Sequence, residues 1–270
     1  MTPWESGRRL CLLFDAGSCR FAVEATSVTE VAEPDPEGRT LRGSLELKDL
    51  SALLGGPGEE RPGMAVVLDV SPTLALRVKR VQEVADVASD PLFGMPPSLR
   101  EALAGVSRGA LLHGGRLFLE LVPEAVPHQP SQLAGPPARP VRMLEQPPDR
   151  ALVFESQGML WGLSLQLVSQ VVPRTEAWCP LPAPHRSVAG LFPHAQALWP
   201  ILSAPALLGG HPHPEELFVL AELAGEPAGL AASRVVGVCE RFSPTENRGE
   251  FTARGADRPV LFLDYQSMFS

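Results

Sequence analysis

Residues 12–31 read LLFDAGSCRFAVEATSVTEV, and residues 152–171 read LVFESQGMLWGLSLQLVSQV. Each stretch has an apolar run, a polar turn and a second apolar run, which is the pattern of a β-hairpin. The two align without a gap, and the identical pairs are Leu12/Leu152, Phe14/Phe154, Val28/Val168 and Val31/Val171. The chain is therefore predicted to contain two copies of a domain that begins with a hairpin.

The similarity between the two halves continues beyond the hairpin. Leu-Leu-Gly-Gly occurs at residues 53–56 and again at 207–210. Strand–turn–strand patterns follow at 66–84 and 219–238, and a last apolar strand at 117–122 and 260–265. The offset is 140 residues at the hairpin and 154 at the Leu-Leu-Gly-Gly motif. Because solenoid repeats are much shorter, whole domains are predicted to be duplicated.

Between the two copies, residues 123–150 contain eight prolines and little apolar periodicity. Proline fixes φ and lacks the N–H that a strand donates, so this stretch is predicted to be a semi-extended linker. The predicted domains are residues 1–122 and 151–270. Limited proteolysis of the linker is expected to leave two stable fragments.

The predicted fold class is all-β. Within each half the apolar segments are short, rich in Val, Leu and Phe, and separated by Gly, Pro, Asp and Ser. Helical patterns are few and short, at residues 49–54, 98–104 and 204–208. Many short strands with frequent turns are typical of small barrels or sandwiches.

Composition limits the classes of partner. A hydrophobic content of 44% is enough for folded cores, and the formal net charge of -8 disfavours nucleic acid and anionic membranes. Arg8 and Arg9 precede only five apolar residues, too few for a secretory signal, so a cytoplasmic protein is expected. The sequence has four cysteines, which are Cys11, Cys19, Cys179 and Cys239. They are expected to be reduced, unless Cys11 and Cys19 pair across the hairpin.

The order of these segments resembles the CheW family of chemotaxis coupling proteins. The matching segments of the first half are Val28-Thr29-Glu30-Val31, Leu41-Arg42-Gly43, Asp49-Leu50, Leu54-Gly55 and Gly105-Val106. The resemblance implies that each domain consists of two small five-stranded β-barrels. It also implies a non-enzymatic adaptor without cofactors, whose surfaces bind a methyl-accepting chemoreceptor and a CheA-type histidine kinase.

The resemblance implies a protein-binding site in the first domain at Glu30, Arg42, Gly43 and Asp49. Glu30 and Arg42 are expected to form an ion pair, because the second half has lost both charges. The substitutions between the halves are Glu30/Gln170, Arg42/Ala195 and Asp49/Ser203. The diverged second domain is predicted to bind a different partner through an exposed apolar surface at Leu191, Phe192 and Leu198.

The sequence is also compatible with other functions. A diverged adaptor for motility or polarity proteins would keep the fold without binding a kinase, and a sensory module would bind a small ligand in a barrel cleft. Residues 105–109 read GVSRG, which matches the nucleophile elbow of serine hydrolases, but the required strand–turn–helix order is reversed. Residues 211–216 read HPHPEE, which indicates an exposed loop rather than a metal site.

Overall fold

The computed structural model describes residues 9–59, 63–97, 99, 105–128, 142–185, 187–210, 213 and 215–265. The strands of the first half are β1 Leu10–Ala16, β2 Cys19–Glu24, β3 Val28–Ala32, β4 Thr40–Leu41, β5 Leu45–Asp49, β6 Met64–Leu68, β7 Leu74–Val78, β8 Arg80–Asp86, β9 Leu92–Gly94, β10 Ser107–His113 and β11 Arg116–Leu121. Those of the second half are β12 Arg150–Ser156, β13 Met159–Ser164, β14 Val168–Pro173, β15 Cys179–His185, β16 Val188–His194, β17 Ala197–Leu202, β18 Leu217–Leu223, β19 Glu226–Ala232, β20 Arg234–Glu240, β21 Ser243–Pro244, β22 Glu250–Thr252 and β23 Val260–Phe262.

Helical structure is short, and the all-β prediction is confirmed. The α-helices are α1 Leu50–Leu53 and α2 Ala204–Leu207, and the 3-10 segments are Ala25–Ser27 and Pro123–His128. The helix predicted at 98–104 falls largely outside the described residues. Among the described residues, no helix has the length and apolar content needed to cross a bilayer.

The strand order of the sheets occurs twice. One sheet of the first half runs β8-β1-β2-β11-β10-β9, and its counterpart runs β20-β12-β13-β23-β22-β21. The other pair of sheets runs β3-β6-β7-β5-β4 and β14-β18-β19-β17-β16-β15. Of these sheets in the described part of the chain, three have six strands where five were predicted. The short β9 and β21, and the proline-rich β15, have weak strand signals in the sequence.

The two hairpins match in detail. In β1–β2 the residue opposite Phe14 is Phe21, and the rings lie 5.8 Å apart with both side chains fully buried. In β12–β13 the residue opposite Phe154 is Trp161, again fully buried. Pairing with the neighbouring strand shifts register just before Phe14 and just before Phe154. Large cross-strand aromatic pairs bury much apolar surface, so they are expected to dominate each core.

A glutamate holds each hairpin turn. The Glu59 carboxylate accepts a 2.5 Å hydrogen bond from Gly17 N–H in the β1–β2 turn. In the second half, Glu215 accepts from Gln157 N–H and Ser156 Oγ, each at 3.1 Å. Both glutamates precede a strand of the other sheet, β6 or β18, so each carboxylate connects the two sheets of its half.

The cysteines are free thiols, and all four are buried. Cys11 lies opposite Glu24 and Cys19 opposite Ala16, so the first two do not face each other across the hairpin. Burial raises the pKa of the Cys11 thiol to about 11, which disfavours the reactive thiolate.

Contacts divide the chain into two compact units whose bounds differ from the predicted domains. The first comprises Met1–Ala134, Glu176–Ala183 and Phe192–Leu198, and the second comprises Gly135–Thr175, Pro184–Leu191 and Trp199–Ser270. Parts of the predicted linker have structure. Val126 is fully buried in the 3-10 segment, and Leu144 N–H donates to Phe262 O in the second unit.

The first unit contains a partly buried charge network. Glu120 on β11 pairs with Arg9 and with Arg108, whose Nη2 lies 2.8 Å from Glu120 Oε1. Burial alone would raise the pKa of Glu120, but the hydrogen bond and charge of Arg108, with the charge of Arg9, hold it below its usual value. This network joins the start of β1 to strands β10 and β11.

Cleavage within residues 129–141 is expected to leave the two fragments associated, because the first unit takes residues from both sides of that stretch. Size-exclusion chromatography or native mass spectrometry after limited proteolysis measures this. The uncut chain is the control, and fragments that elute separately in a folded state would contradict the expectation.

Glu120→Gln is expected to lower the free energy of unfolding by about 1–3 kcal/mol at pH 7, because it removes a charged partner from two arginines. Since the pKa of Glu120 is lower in the folded state, its contribution is complete above about pH 4.3 and is lost as the pH falls through the folded-state pKa. Urea unfolding at pH 7 and pH 3 should therefore show the difference from wild type shrinking at acid pH. Glu83→Gln is the control, since its side chain is 60% exposed.

Candidate functional site

An ion pair joins the two edge strands of the sheet β3-β6-β7-β5-β4. Glu30 lies on β3, and Arg42 lies in the turn between β4 and β5. Arg42 Nη2 is 2.5 Å from Glu30 Oε1, with side-chain exposures of 75% and 30%. The sheet is therefore curved enough for its opposite edges to meet, and the predicted Glu30–Arg42 pair is confirmed.

The loop that presents Arg42 is fixed by its backbone. Arg42 and Gly43 have φ values of 54° and 69°, and Ser44 N–H donates to Leu41 O across them. Two successive left-handed residues form the hairpin turn that matches strand twist, and glycine suits the second position. Asp35 accepts hydrogen bonds from Thr40 Oγ1 and Gly43 N–H, and these bonds lower the pKa of its carboxyl group.

The second half keeps this turn but not its charges. Between β16 and β17, Ala195 and Gln196 have φ values of 48° and 63°. The turn geometry therefore supports the alignment of Arg42 with Ala195, although neither second-half residue is charged. On the edge strand β14, Gln170 replaces Glu30. The Glu30–Arg42 ion pair thus has no charged counterpart at the equivalent positions.

Asp49 is placed in a separate network. It ends β5 and caps α1, accepting from Ala52 N–H at 2.9 Å, Glu59 N–H at 2.7 Å and Arg77 Nη2 at 2.6 Å. Its side chain is only 11% exposed. Burial would raise the pKa of Asp49, but these donors hold it below its usual value. The contacts of Asp49 thus organise the chain around α1, whereas Glu30, Arg42 and Gly43 are brought together at the sheet edges.

The predicted exposed apolar surface of the second half is wrong. Leu191, Phe192 and Leu198 are 0%, 7% and 3% exposed. They lie on β16 and β17, and the consecutive residues Leu191 and Phe192, which point to opposite faces of β16, are both buried. An apolar run without structural context does not distinguish a core strand from a docking surface. One exposed apolar residue of the second half is Val171 on β14, which corresponds to Val31 on β3, and these side chains are 36% and 39% exposed.

Several organising residues were not predicted. Asp35, Glu59, Arg77 and Glu215 hold turns or strand ends through side-chain hydrogen bonds. A sequence signal existed for the two glutamates, because Glu-Glu follows Leu-Leu-Gly-Gly in both halves. Asp35 and Arg77 have no such repeated signal.

The geometry around Ser107 does not fit a nucleophile. Its side chain is 1% exposed at the start of β10, and its hydroxyl donates to Gly109 O at 2.7 Å. Within the 211–216 loop, the described Glu215 carboxylate is engaged by the β12–β13 turn.

The second unit also has an open pocket of about 560 Å³, lined by Gln166, Leu167, Glu222, Ala224 and Gly225. None of the predicted site residues lines it. What the Glu30–Arg42 surface offers is recognition by an exposed guanidinium that an ion pair holds in place.

No family model matches the chain, and no curated protein matches it. Among solved structures, the chain is similar to the scaffolding protein TtCheW from Thermoanaerobacter tengcongensis. The sequence identity is 18%, the match covers 43% of this chain and 88% of that chain, and the TM-score is 0.36. A likeness of this size does not establish a shared activity.

Arg42→Ala and Asp49→Ala are expected to differ in their effect on folding. Arg42→Ala should change the free energy of unfolding of the first unit by at most about 1 kcal/mol, because the pair is exposed to water. Asp49→Ala should cost about 2 kcal/mol, because it removes a helix cap and the partner of Arg77. Chemical denaturation measures both, and equal losses would show that Arg42 is a structural residue.

Proposed function

We propose that this chain is a non-enzymatic adaptor of a bacterial chemosensory system, built from two CheW-like domains in tandem. In this proposal, the first half binds a CheA-type histidine kinase or a methyl-accepting chemoreceptor through a surface that contains Glu30, Arg42 and Gly43. We call these three residues the seam surface. No catalytic group or cofactor is part of the proposal.

The observation that carries the proposal is the exposed ion pair at the seam surface. A pair with 75% of the Arg42 side chain in water contributes little to folding, yet the turn holds it in one place through Asp35 and Gly43. A guanidinium held in place at a surface has the character of an interface anchor, since arginine is enriched among residues that dominate binding energy. The CheW resemblance of the sequence implies partner binding at Glu30, Arg42 and Gly43.

The tandem arrangement is supported by repetition at three levels. The hairpin sequence, the order of strands in both sheets, and the glutamate that holds each hairpin turn all occur twice. Independent drift would not reproduce such detail, so duplication of one ancestral domain is the simplest account. Each copy would then offer an equivalent surface to partners.

The two surfaces differ in chemistry, which favours two different partners. In the sequence of the second half, the positions equivalent to Glu30, Arg42 and Gly43 are Gln170, Ala195 and Gln196, and Val171 corresponds to Val31. The valine is retained and exposed, whereas the charges are absent. A partner that pairs with a guanidinium would gain nothing there, so the second half is proposed to bind a less polar surface centred on Val171.

The alternative proposal is that the chain is an adaptor for motility or polarity proteins, which would bind the same surface. The two proposals differ in whether a CheA-type kinase binds to the chain. A small-ligand sensor is not favoured, because the described pocket of the second unit is open to solvent and none of the seam-surface residues lines it.

Arg42→Ala is expected to weaken binding of the cognate kinase or of the receptor's cytoplasmic tip at least about tenfold, because it removes an interface anchor. Titration by surface plasmon resonance or by calorimetry measures the affinity. The matched control is Arg80→Ala, which breaks another ion pair of the same half, in which Arg80 is 63% and Asp15 14% exposed. The control should bind like wild type.

The charge-reversed double variant Glu30→Arg with Arg42→Glu keeps opposite charges at the two positions, so it tests whether the partner contacts Arg42 directly or requires only an ion pair there. Retained folding with lost binding would show that the partner contacts Arg42 directly. If Arg42→Ala and Arg80→Ala bind equally well to both candidate partners, the seam surface is not the binding site and the proposal fails.

A further inference from the structure

The loop between β3 and β4 contains a β-turn that its sequence favours. Residues 35–38 read DPEG, with aspartate, proline and glycine at the first, second and fourth positions, where β-turns prefer them. The turn is closed, since Gly38 N–H donates to Asp35 O at 2.6 Å. Proline fixes its own φ and restricts the residue before it, so Pro36 limits the backbone conformation of Asp35. The turn therefore starts from a residue that has little conformational freedom.

An arginine of the neighbouring sheet strand connects this turn to the sheet. Arg77 lies on β7, and its Nη1 donates to Gly38 O at 3.4 Å while its Nη2 donates to Asp49 at 2.6 Å. The Arg77 and Asp49 side chains are 22% and 11% exposed, so their contact is largely shielded from water. Asp35 therefore belongs to a turn that a partly buried ion pair connects to β5 and β7.

The carboxylate of Asp35 connects the turn to the hairpin that carries Arg42. Asp35 Oδ2 accepts hydrogen bonds from Thr40 Oγ1 at 2.6 Å and from Gly43 N–H at 2.7 Å. The Asp35 N–H also donates to Thr40 O at 2.9 Å. Thr40 precedes Arg42 by two positions and Gly43 follows it directly. The three bonds therefore hold the backbone on both sides of Arg42.

The hairpin of the first half requires this support because it is short. β4 has two residues, and it pairs with β5 at two positions. The corresponding strands β16 and β17 have seven and six residues. In their turn, Ala195 and Gln196 have φ values of 48° and 63°, although neither residue is glycine. A long ladder supplies the hydrogen bonds that hold such a turn, whereas a two-residue strand supplies few.

We propose that Asp35 is a positioning residue of the seam surface, which holds the turn so that Arg42 is presented to the partner in one orientation. This role rests on the proposed function, because it concerns partner binding through Arg42. The Arg42 side chain is 75% exposed, so its ion pair with Glu30 contributes little to folding. A guanidinium that is ordered before association loses less conformational entropy on binding. Loss of the Asp35 carboxylate therefore weakens binding while the side chain of Arg42 stays in place in the sequence.

Hydrogen exchange of the free chain tests the positioning step without a partner. The exchange rate of the Gly43 amide, measured by NMR, should rise about tenfold in Asp35→Ala, because the amide loses its acceptor. Asp35→Asn keeps a side-chain oxygen that accepts the same bonds, so its rate should stay within about twofold of wild type. The matched control is Glu37→Ala, which removes an exposed carboxylate from the same loop and should leave the rate unchanged. The amides of the β1–β2 hairpin should keep their rates in every variant.

Affinity for the partner tests whether the positioning matters for binding. With a kinase or receptor tip that binds the wild-type chain, Asp35→Ala should weaken the affinity about fivefold. Asp35→Asn and Glu37→Ala should bind like wild type. In the Arg42→Ala background, Asp35→Ala should change the affinity by less than about twofold, because a residue that acts through Arg42 has no further effect once Arg42 is absent.

Each step can fail separately. An unchanged Gly43 rate in Asp35→Ala would show that the turn does not depend on Asp35, and a rate that rises together with those of the β1–β2 amides would show that Asp35 stabilises the whole fold. Equal losses of affinity in Asp35→Ala and Asp35→Asn would show that the charge of Asp35 acts on the partner directly, and additive losses in the double variant would show that it acts independently of Arg42.

Unchanged affinity in Asp35→Ala, with weakened affinity in Arg42→Ala, would show that the partner does not need the ordered turn. Each of these results overturns the role of Asp35 and leaves the proposed function intact. Binding that does not respond to Arg42→Ala overturns the proposed function, and the role of Asp35 with it.

Discussion

A carboxylate that reaches a hairpin turn is the constraint on which both halves of this protein depend. Each of the two residues, Glu59 and Glu215, precedes a strand of one sheet. Its carboxylate accepts a hydrogen bond from the backbone N–H of a turn in the other sheet of the same half. Both bonds are partly buried, and a hydrogen bond to a charged group contributes about 1.5–3 kcal/mol. The bond therefore fixes the hairpin, and with it the aromatic pair, relative to the second sheet of the same half. The seam surface lies on that second sheet.

The features of the fold that the sequence predicts are those that depend on residues close together in the chain. The hairpins, the all-β class and the similarity of the two halves are visible in the sequence because the alternation of apolar residues and the turn glycines are encoded within twenty residues. The Glu30–Arg42 pair was also predictable, since both charges are lost together in the second half. The glutamate bonds were not predicted, because a carboxylate in a loop gives no indication of its distant acceptor. Repetition of Glu-Glu after Leu-Leu-Gly-Gly was the available signal.

The misplaced residues show the limit of apolar patterns. Leu191, Phe192 and Leu198 were assigned to a surface, but they are core residues of β16 and β17. Strands with one buried face and strands with two have similar short apolar runs, and only the packing partner distinguishes them. The bounds of the two compact units could not be predicted for a related reason. The first unit includes Glu176–Ala183 and Phe192–Leu198, and long-range contacts, which the sequence pattern does not show, determine the unit to which such segments belong.

Proline spacing in β15 has a further consequence for the chain in concentrated solution. Strand β15 ends the sheet β14-β18-β19-β17-β16-β15, and its sequence carries proline at positions 180, 182 and 184. A sheet end normally offers a row of free donors and acceptors on which a strand of another molecule can polymerise. With proline at every second position, that ladder cannot propagate outward. At high protein concentration the chain thus has, at this end of the sheet, a barrier to fibre formation.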